Sequence, residues 1–357
     1  MKKLHTLYII LLCSLFSATA QTQVGRCMYR VAEYVNTFNP DDDAHLAAGG
    51  IIVCGHGAET RAFSKFNFTN ENADAYAAAV NKYQEIFGAD MNVFCMPIPI
   101  ASAYYLPNVA RGWSGSNAAA VNRIFSQLRA DVYPIDVYTA LAEHVEEPIY
   151  SRTDHHWSPL GAYYAAERFS EIANVPFRSL FFYESDTVHQ FVGTMYRFSK
   201  DVAVKEAPED FIYYRPLGVS YEATMTFYSL DKARLRVVSE SEPTVSDFFR
   251  YYKDGAGAAY CTFMGGDDRL VCVRTSTDSP RRLLILKDSF GNALPSYLFY
   301  SFSEIHVVDC RYFTKNIVDY AYDNHITDIL FANNIQHACT PATSDRYMQY
   351  LGAYGQQ

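Results

Sequence analysis

Alternation of short apolar runs with helical patterns constrains the fold of this 357-residue chain most strongly. In the first third, apolar runs at 50–55, 91–97 and 132–137 are separated by helical patterns at 70–87 and 116–128. The last quarter repeats this order, with strands predicted at 282–289, 304–309 and 328–334 and helices predicted at 292–300 and 316–324. Strands that alternate with helices are typical of α/β proteins. The sequence therefore predicts a three-layer sandwich, with a mostly parallel sheet covered by helices on both faces.

The stretch between these two parts has a different texture. From about 182 to 280, Tyr, Phe, Thr and Val alternate with charged residues, glycines interrupt the pattern, and helical periodicity is weak. We predict a β-rich insertion here, in a position to cap a site formed by the α/β part.

The first twenty residues have the features of a secretory signal peptide. Lys2 and Lys3 precede an apolar run that is too short to span a bilayer, and Ala18-x-Ala20 is a typical cleavage site. Leu11-Leu12 before Cys13 does not fit a lipoprotein anchor. We therefore predict an exported bacterial protein, periplasmic or extracellular, whose domain spans residues 21–357 and has no stable membrane anchor.

Charge and cysteine content narrow the functional classes. Without Lys2 and Lys3, 28 of the 30 basic residues remain against 39 acidic ones, a formal charge of −11, which speaks against a nucleic-acid partner. Export permits disulfides, and seven of the eight cysteines remain once the predicted signal peptide with Cys13 is removed, so at least one is unpaired in a monomer. Cys261–Cys272 and Cys310–Cys339 are candidate pairs, whereas two further cysteines lie in strand-like runs and are expected to be buried thiols, Cys54 and Cys95.

A carboxylate and two imidazoles stand side by side before a predicted helix, at Asp154, His155 and His156. If the segment is extended, Asp154 and His156 point to one side and His155 to the other. Asp154 can then accept from one ring nitrogen of His156 while the other nitrogen stays free, as in a Ser-His-Asp arrangement. Two alternatives remain: polar residues that only cap the helix, and a metal site. The metal site is less favoured, because three adjacent residues are not expected to reach one tetrahedral ion.

Ser289 is the candidate nucleophile. It ends the apolar run 282–289, and a helical pattern follows it. In an open parallel sheet this position is the carboxyl edge, where ligands bind, and N–H groups at the start of the helix can stabilise an oxyanion. Asp288-Ser289 alone is also a common helix cap.

Two segments together resemble a known family. They are 150–163, which contains Thr153-Asp154-His155-His156-Trp157, and 284–293, which contains Lys287-Asp288-Ser289-Phe290-Gly291-Asn292. The chain resembles the DHHW protein family from about residue 50 to 335. That family is similar to the SGNH (GDSL-like) hydrolases and to the bacterial alginate O-acetylation proteins. The resemblance implies Ser289 as nucleophile, His156 as base and Asp154 as the carboxylate that orients it, in a permuted order with Asp-x-His first.

The resemblance also points to residues around this triad. The candidate oxyanion or substrate groups are Asn334, a backbone N–H at Gly291, and Arg311. Arg311 is considered because this chain lacks the glycine of the second conserved sequence block of the SGNH hydrolases. His155 and Trp157 are expected in supporting positions. The implied function is an exported serine-dependent carbohydrate O-acyl esterase or O-acetyltransferase that needs no cofactor or metal. Its partner would be an acylated carbohydrate or a sugar acceptor. The alternative is a glycan-binding protein without chemistry on the same scaffold. Oligomeric state is not indicated by the sequence.

Overall fold

A computed structural model describes residues 30–233 and 236–356, so the predicted signal peptide and Cys27 lie outside the described residues. The strands are β1 (Ala44–Leu46), β2 (Ile52–Cys54), β3 (Arg61–Phe63), β4 (Asn92–Ile98), β5 (Tyr133–Pro134), β6 (Tyr183–Phe191), β7 (Glu209–Pro216), β8 (Tyr221–Leu230), β9 (Val237–Glu240), β10 (Thr244–Val245), β11 (Arg269–Thr275), β12 (Arg282–Lys287), β13 (Glu304–Asp309) and β14 (Asp328–Asn334). The α-helices are α1 (Asn70–Phe87), α2 (Ser102–Tyr105), α3 (Asn117–Gln127), α4 (Val137–Ala142), α5 (Pro159–Ala173), α6 (Thr194–Ser199), α7 (Val202–Lys205), α8 (Ile317–Asp323), α9 (Ile335–Ala338) and α10 (Pro341–Tyr350).

The central sheet is mixed. Its order is β10-β8-β11-β13-β12-β14-β4-β5, and β9 pairs with β8. The neighbours from β13 to β5 are parallel, as their helical connections require. Beyond β13, strands β11, β8 and β10 run antiparallel to their neighbours. The expectation of a mostly parallel sheet is therefore not confirmed, because four strands from the stretch predicted as an insertion, β8 to β11, extend the sheet directly.

Helices cover both faces of the parallel part. Phe331 of β14 contacts Tyr83 of α1 and Tyr347 of α10, with ring centroids 4.9 Å apart in each case. Phe94 of β4 contacts Phe169 of α5 at 5.2 Å. Since Leu330, not Phe331, is the partner of Phe94 in the pairing of the two strands, these phenylalanines point to opposite faces. The site described below lies between these layers, at the carboxyl ends of the strands.

The stretch 182–280 holds a long hairpin, β6 with β7, in addition to the strands that join the central sheet. The short helices α6 and α7 lie between the two hairpin strands in the sequence. The division of the chain at about residues 182 and 280 into a domain and an insertion stays a prediction.

Two sequence expectations fail locally. The helix predicted at 292–300 is two 3-10 turns, Ser289–Ala293 and Pro295–Leu298; Pro295 has no N–H to continue a helical ladder and begins the second turn.

All six cysteines of the described residues are free, so the candidate disulfides Cys261–Cys272 and Cys310–Cys339 are not formed. Cys54 and Cys95 are buried thiols, as predicted. Among the described residues, no helix combines the length and hydropathy needed to cross a membrane.

Candidate active site

The segment that carries Asp154 and His156 is a series of bends between a β-bridge and a helix. Tyr150 and Trp157 form the bridge, and residues 152–156 are bends. Ser158 then caps α5 by accepting from the Gly161 N–H. Position 161 has room only for glycine, because a Cβ there would lie 2.3 Å from the Ile149 carbonyl oxygen. The extended conformation assumed from the sequence is therefore wrong for 152–156.

The tight bend joins Asp154 and His156 more closely than an extended segment would. Asp154 Oδ1 accepts from both the backbone N–H of His156 (3.1 Å) and its ring Nδ1 (2.6 Å). The first bond is an Asx turn, in which a short carboxylate side chain bonds the backbone two residues on. One oxygen thus fixes the ring and the backbone of the same histidine.

Ser289 is held at the carboxyl end of β12. Asp288 accepts from the N–H of Phe290 (2.9 Å) through Oδ1, which starts the 3-10 turn, and from the N–H of Asn334 (2.8 Å) through Oδ2. Since β12 and β14 are parallel neighbours, the second bond ties two strand ends together. Ser289 is the first residue of the 3-10 turn, so its backbone N–H has no acceptor within the turn itself.

The two segments meet. His156 Nε2 lies 2.8 Å from Ser289 Oγ, and its Nδ1 faces Asp154, so the three side chains form a continuous line of hydrogen bonds. Asp154 and His156 are buried, at 3% and 6% exposure. Burial acts to raise the pKa of Asp154, but the adjacent His156 outweighs it and holds this pKa well below its ordinary value. Asp154 is therefore an anion that accepts from His156, which leaves Nε2 as the nitrogen able to take the serine proton.

The second oxygen of Asp154 is held by residues that sequence reasoning missed. Thr194 donates to Oδ2 through its backbone N–H (2.8 Å) and its hydroxyl (2.9 Å) at the start of α6. A Cβ on Gly193 would lie 2.4 Å from the Asp154 Cβ, so only glycine fits there. No motif in the sequence marks this pair.

Aromatic contacts fix the imidazole from the side. The ring of Tyr260 stacks on that of His156, with centroids 3.8 Å apart and an interplanar angle of 4°. Tyr260 Oη donates to the Phe290 carbonyl (2.7 Å), and Trp157 Nε1 donates to the same carbonyl (2.9 Å). Trp157 therefore links the segment that carries His156 to the turn that carries Ser289.

His155 does not face away from His156. Their ring centroids are 3.7 Å apart, and a hydrogen bond of 2.6 Å joins His155 Nδ1 to Thr194 Oγ1. Burial, and then the neighbouring His156, lower the pKa of His155 from 6.5 to about 3. His155 is thus a neutral imidazole that supports the hydroxyl which in turn supports Asp154.

The three candidate oxyanion groups differ in their freedom to donate. The N–H of Gly291 donates to the Asp288 carbonyl within the 3-10 turn (3.0 Å), and the glycine is needed because a Cβ would lie 2.5 Å from that of Lys287. Asn334 uses Oδ1 to cap α9, accepting from two backbone N–H groups, and its Nδ2 has no acceptor within the described residues. Asn334 is therefore the freer donor.

Arg311 belongs to a partly buried charge cluster beside the site. It donates to Asp309 through Nε and Nη2 (2.8 Å each) and pairs with Asp267 (2.9 Å). Lys287 donates to Asp309 (2.8 Å), and Asn292 donates to Asp267 (2.8 Å). Burial acts to raise the pKa of Asp267, but Lys287 and Arg311 outweigh it and hold the pKa below its ordinary range. The guanidinium that was expected near the oxyanion is thus largely committed to two carboxylates.

The expectation that Asp154, His155 and His156 are unable to reach one metal ion, because they are adjacent in the sequence, is wrong. A ligand atom of each lies within 4.8 Å of the others, so three adjacent residues do converge here. His156 is nevertheless committed on both ring nitrogens, to Asp154 and Ser289.

Comparison with known proteins places the chain in a family. The family model described as "DHHW protein" matches residues 36–308. The chain belongs to the DHHW family. The crystal structure of a DHHW family protein from Eubacterium siraeum is similar, with 36% identity and a TM-score of 0.76 over 87% of this chain and 97% of that one. The family resemblance inferred from the sequence is thereby confirmed.

Two more distant solved structures also match this DHHW protein, and the first of them resembles it in fold. PatB1 of Bacillus cereus, in a structure with a sulfonyl adduct, is 17% identical with a TM-score of 0.59, over 82% of this chain and 96% of that one. The O-acetyltransferase domain of Pseudomonas putida AlgJ is 12% identical with a TM-score of 0.46, over 86% and 98% of the two chains. A search of curated proteins finds no match.

Proposed function

We propose that this DHHW protein is an exported serine-dependent carbohydrate O-acyl (acetyl) esterase or O-acetyltransferase. One observation carries the proposal: Ser289 Oγ lies 2.8 Å from His156 Nε2, while Asp154 accepts from Nδ1 of the same ring. A structural polar cluster would not need an imidazole held between a carboxylate and a serine hydroxyl, whereas nucleophilic catalysis does.

The chemistry follows from these positions. His156 Nε2 takes the Ser289 proton as Oγ attacks the ester carbonyl, and Asp154 stabilises the resulting imidazolium. The tetrahedral intermediate then expels the alcohol, which receives the proton from His156 and leaves an acyl-Ser289 ester. Water or a sugar hydroxyl attacks this ester in the same manner, so the acyl group ends on water in an esterase and on the sugar in a transferase.

The developing oxyanion needs donors beside Ser289. The Ser289 N–H and Asn334 Nδ2 fit this role, because the first begins the 3-10 turn and has no partner within it, and the second has no acceptor within the described residues. We propose Arg311 as a charge that attracts substrate oxygens rather than as a direct donor, since two carboxylates hold its guanidinium. Gly291 acts by letting the turn pass close to Lys287.

The substrate class rests on the resemblance of the sequence to alginate O-acetylation proteins and on the features of an export signal. The formal charge of −9 for the full chain fits a partner that is not a nucleic acid. The sulfonyl adduct in the PatB1 structure suggests a probe that needs no knowledge of the natural substrate.

The test is covalent labelling by a sulfonyl fluoride, followed by intact-mass spectrometry and peptide mapping. We expect one adduct, on Ser289, in the wild type and none in Ser289→Ala; Ser126→Ala, which removes an exposed serine, is the matched control and should label normally. Turnover of a chromogenic acetate ester should follow the same pattern. Absence of labelling in the wild type, or equal labelling of Ser289→Ala, would reject the catalytic proposal in favour of a glycan-binding protein.

An acceptor assay separates the two forms of the reaction. With an acetyl-ester donor and an oligosaccharide present, a transferase produces acetylated oligosaccharide by mass spectrometry. An esterase releases only acetate.

A further inference from the structure

A second group of metal-ligating side chains lies on the central sheet, away from Ser289. Cys272 of β11 is the direct cross-strand partner of His306 of β13, and Glu304 lies two residues before His306 on the same face. Register and alternation thus bring a thiol, an imidazole and a carboxylate together. The group lies in the amino-terminal half of β13, whereas the candidate active site lies at the carboxyl end of the sheet.

The distances among the three ligand atoms fit one ion. Cys272 Sγ lies 3.3 Å from Glu304 Oε1 and 3.7 Å from His306 Nε2, and these last two atoms are 2.9 Å apart. A tetrahedral zinc ion with ordinary bond lengths would set the same three separations at about 3.6, 3.5 and 3.4 Å. The Glu304–His306 distance must widen by about 0.5 Å and the Cys272–Glu304 distance by about 0.3 Å.

The surroundings supply the outer contacts that metal ligands need. His306 Nδ1 lies 2.6 Å from the hydroxyl of Tyr320, which fixes the ring and leaves Nε2 facing the other two ligands. The second oxygen of Glu304 faces Arg274 (3.4 Å) and Arg282 (3.5 Å), so Oε1 is the oxygen turned towards the site.

An entry path is also present. A cavity of about 460 Å³ is lined by Cys272 and His306 and by polar side chains from neighbouring elements, Thr224, Glu240, Lys315 and Tyr320. Glu304 and His306 are buried, while Cys272 is half-buried and faces this opening. A hydrated ion can therefore reach the group through this cavity.

We propose that Cys272, Glu304 and His306 bind a thiophilic divalent cation, with Zn²⁺ as the best match for this ligand set. The thiol proton is released to solvent on binding, and the imidazole carries its proton on Nδ1, which donates to Tyr320. The ion would link β11 to β13, the junction between the antiparallel and the parallel parts of the sheet. Without an ion, the same side chains form a closed set of hydrogen bonds, which is the competing state.

The test uses the whole purified protein, stripped with a chelator, kept reduced and titrated with Co²⁺. We expect a thiolate-to-cobalt charge-transfer band at one equivalent, together with the intense visible bands of a four-coordinate ion, and both should vanish on addition of Zn²⁺. The active-site group Asp154-His155-His156 contains no sulfur, so cobalt bound there cannot give the thiolate band.

Variants make the assignment specific. Cys272→Ser should abolish the charge-transfer band, whereas Cys261→Ser, which removes another half-buried thiol, should keep it. Glu304→Gln is nearly isosteric and should weaken cobalt binding at least tenfold while circular dichroism stays unchanged. No band in the wild type, or a band that persists in Cys272→Ser, would overturn the proposal and leave the hydrogen-bonded set as the only state. Sulfonyl labelling of Ser289 is an independent readout, so either proposal can fail alone.

Discussion

Replacing Asp154 by Asn tests the candidate site most directly, because the structure predicts which way the amide must turn. Oδ1 accepts from the His156 N–H (3.1 Å) and from its Nδ1 (2.6 Å), and Oδ2 accepts from the Thr194 N–H (2.8 Å) and hydroxyl (2.9 Å). Whichever oxygen position the NH₂ group takes, it meets one backbone N–H that cannot turn away. The weaker conflict is the longer contact, with the His156 N–H, so the NH₂ group should face His156.

That orientation inactivates the base. An NH₂ group facing Nδ1 forces the ring to carry its proton on Nε2, which then cannot accept the proton of Ser289. The same tautomer error in a Ser-His-Asp protease lowers kcat by about 10⁴, or about 5 kcal/mol of transition-state stabilisation. One unsatisfied buried N–H should also lower the free energy of unfolding by about 1–3 kcal/mol.

The assay is the second-order rate of sulfonyl fluoride labelling, read by intact mass, alongside thermal unfolding. Asp136→Asn is the matched control, because Asp136 caps α4 by accepting from the Thr139 N–H (2.9 Å) and asparagine caps equally well. We expect labelling of Asp154→Asn to be about 10⁴-fold slower and that of the control to be unchanged. A folded Asp154→Asn protein that labels within tenfold of the wild type would refute the reasoning.

The remaining predictions concern the neighbours of this pair. Asn334→Ser keeps a capping oxygen for α9 but removes the Nδ2 donor, so ester turnover should fall about 10²–10³-fold with little change in Tm. A fall in turnover that is accompanied by a large fall in Tm would contradict this. Gly193→Ala would push a methyl group against Asp154, and we expect slower labelling and about 1–3 kcal/mol less stability, whereas Gly112→Ala meets no atom within 4 Å and should be neutral in both measurements. The pKa of His155 is depressed to about 3, so the unfolded chain binds its proton first as pH falls below 6.5, and stability should drop by up to about 1.4 kcal/mol per pH unit between pH 6.5 and 3. Denaturant titrations across this pH range should show that the free energy of unfolding falls less steeply with falling pH in His155→Gln than in the wild type. If the two proteins lose free energy of unfolding in parallel, the depressed pKa of His155 is not the cause.

Local pattern predicted the elements that depend on short-range structure. Periodicity predicted the helix that the structure places at Asn70–Phe87, which Thr69 caps, and Ser158-Pro159 marked the start of α5. The strand runs were recognised because their residues are apolar and β-branched. The residue types at 154, 156 and 289 were recognised because their chemistry belongs together.

The sequence by itself determined these elements and a short set of reactive side chains. Only the tertiary structure decided that β8 and β11 join the sheet antiparallel, that Gly193, Thr194 and Tyr260 surround Asp154 and His156, and that Arg311 is held by two carboxylates. The reason is physical: a periodic pattern reports how a residue sits in its own helix or strand, whereas these contacts, apart from the local Asp309–Arg311 pair, join positions about 30 to 100 residues apart. Their geometry is set by the packing of whole elements against one another, and no local preference encodes it.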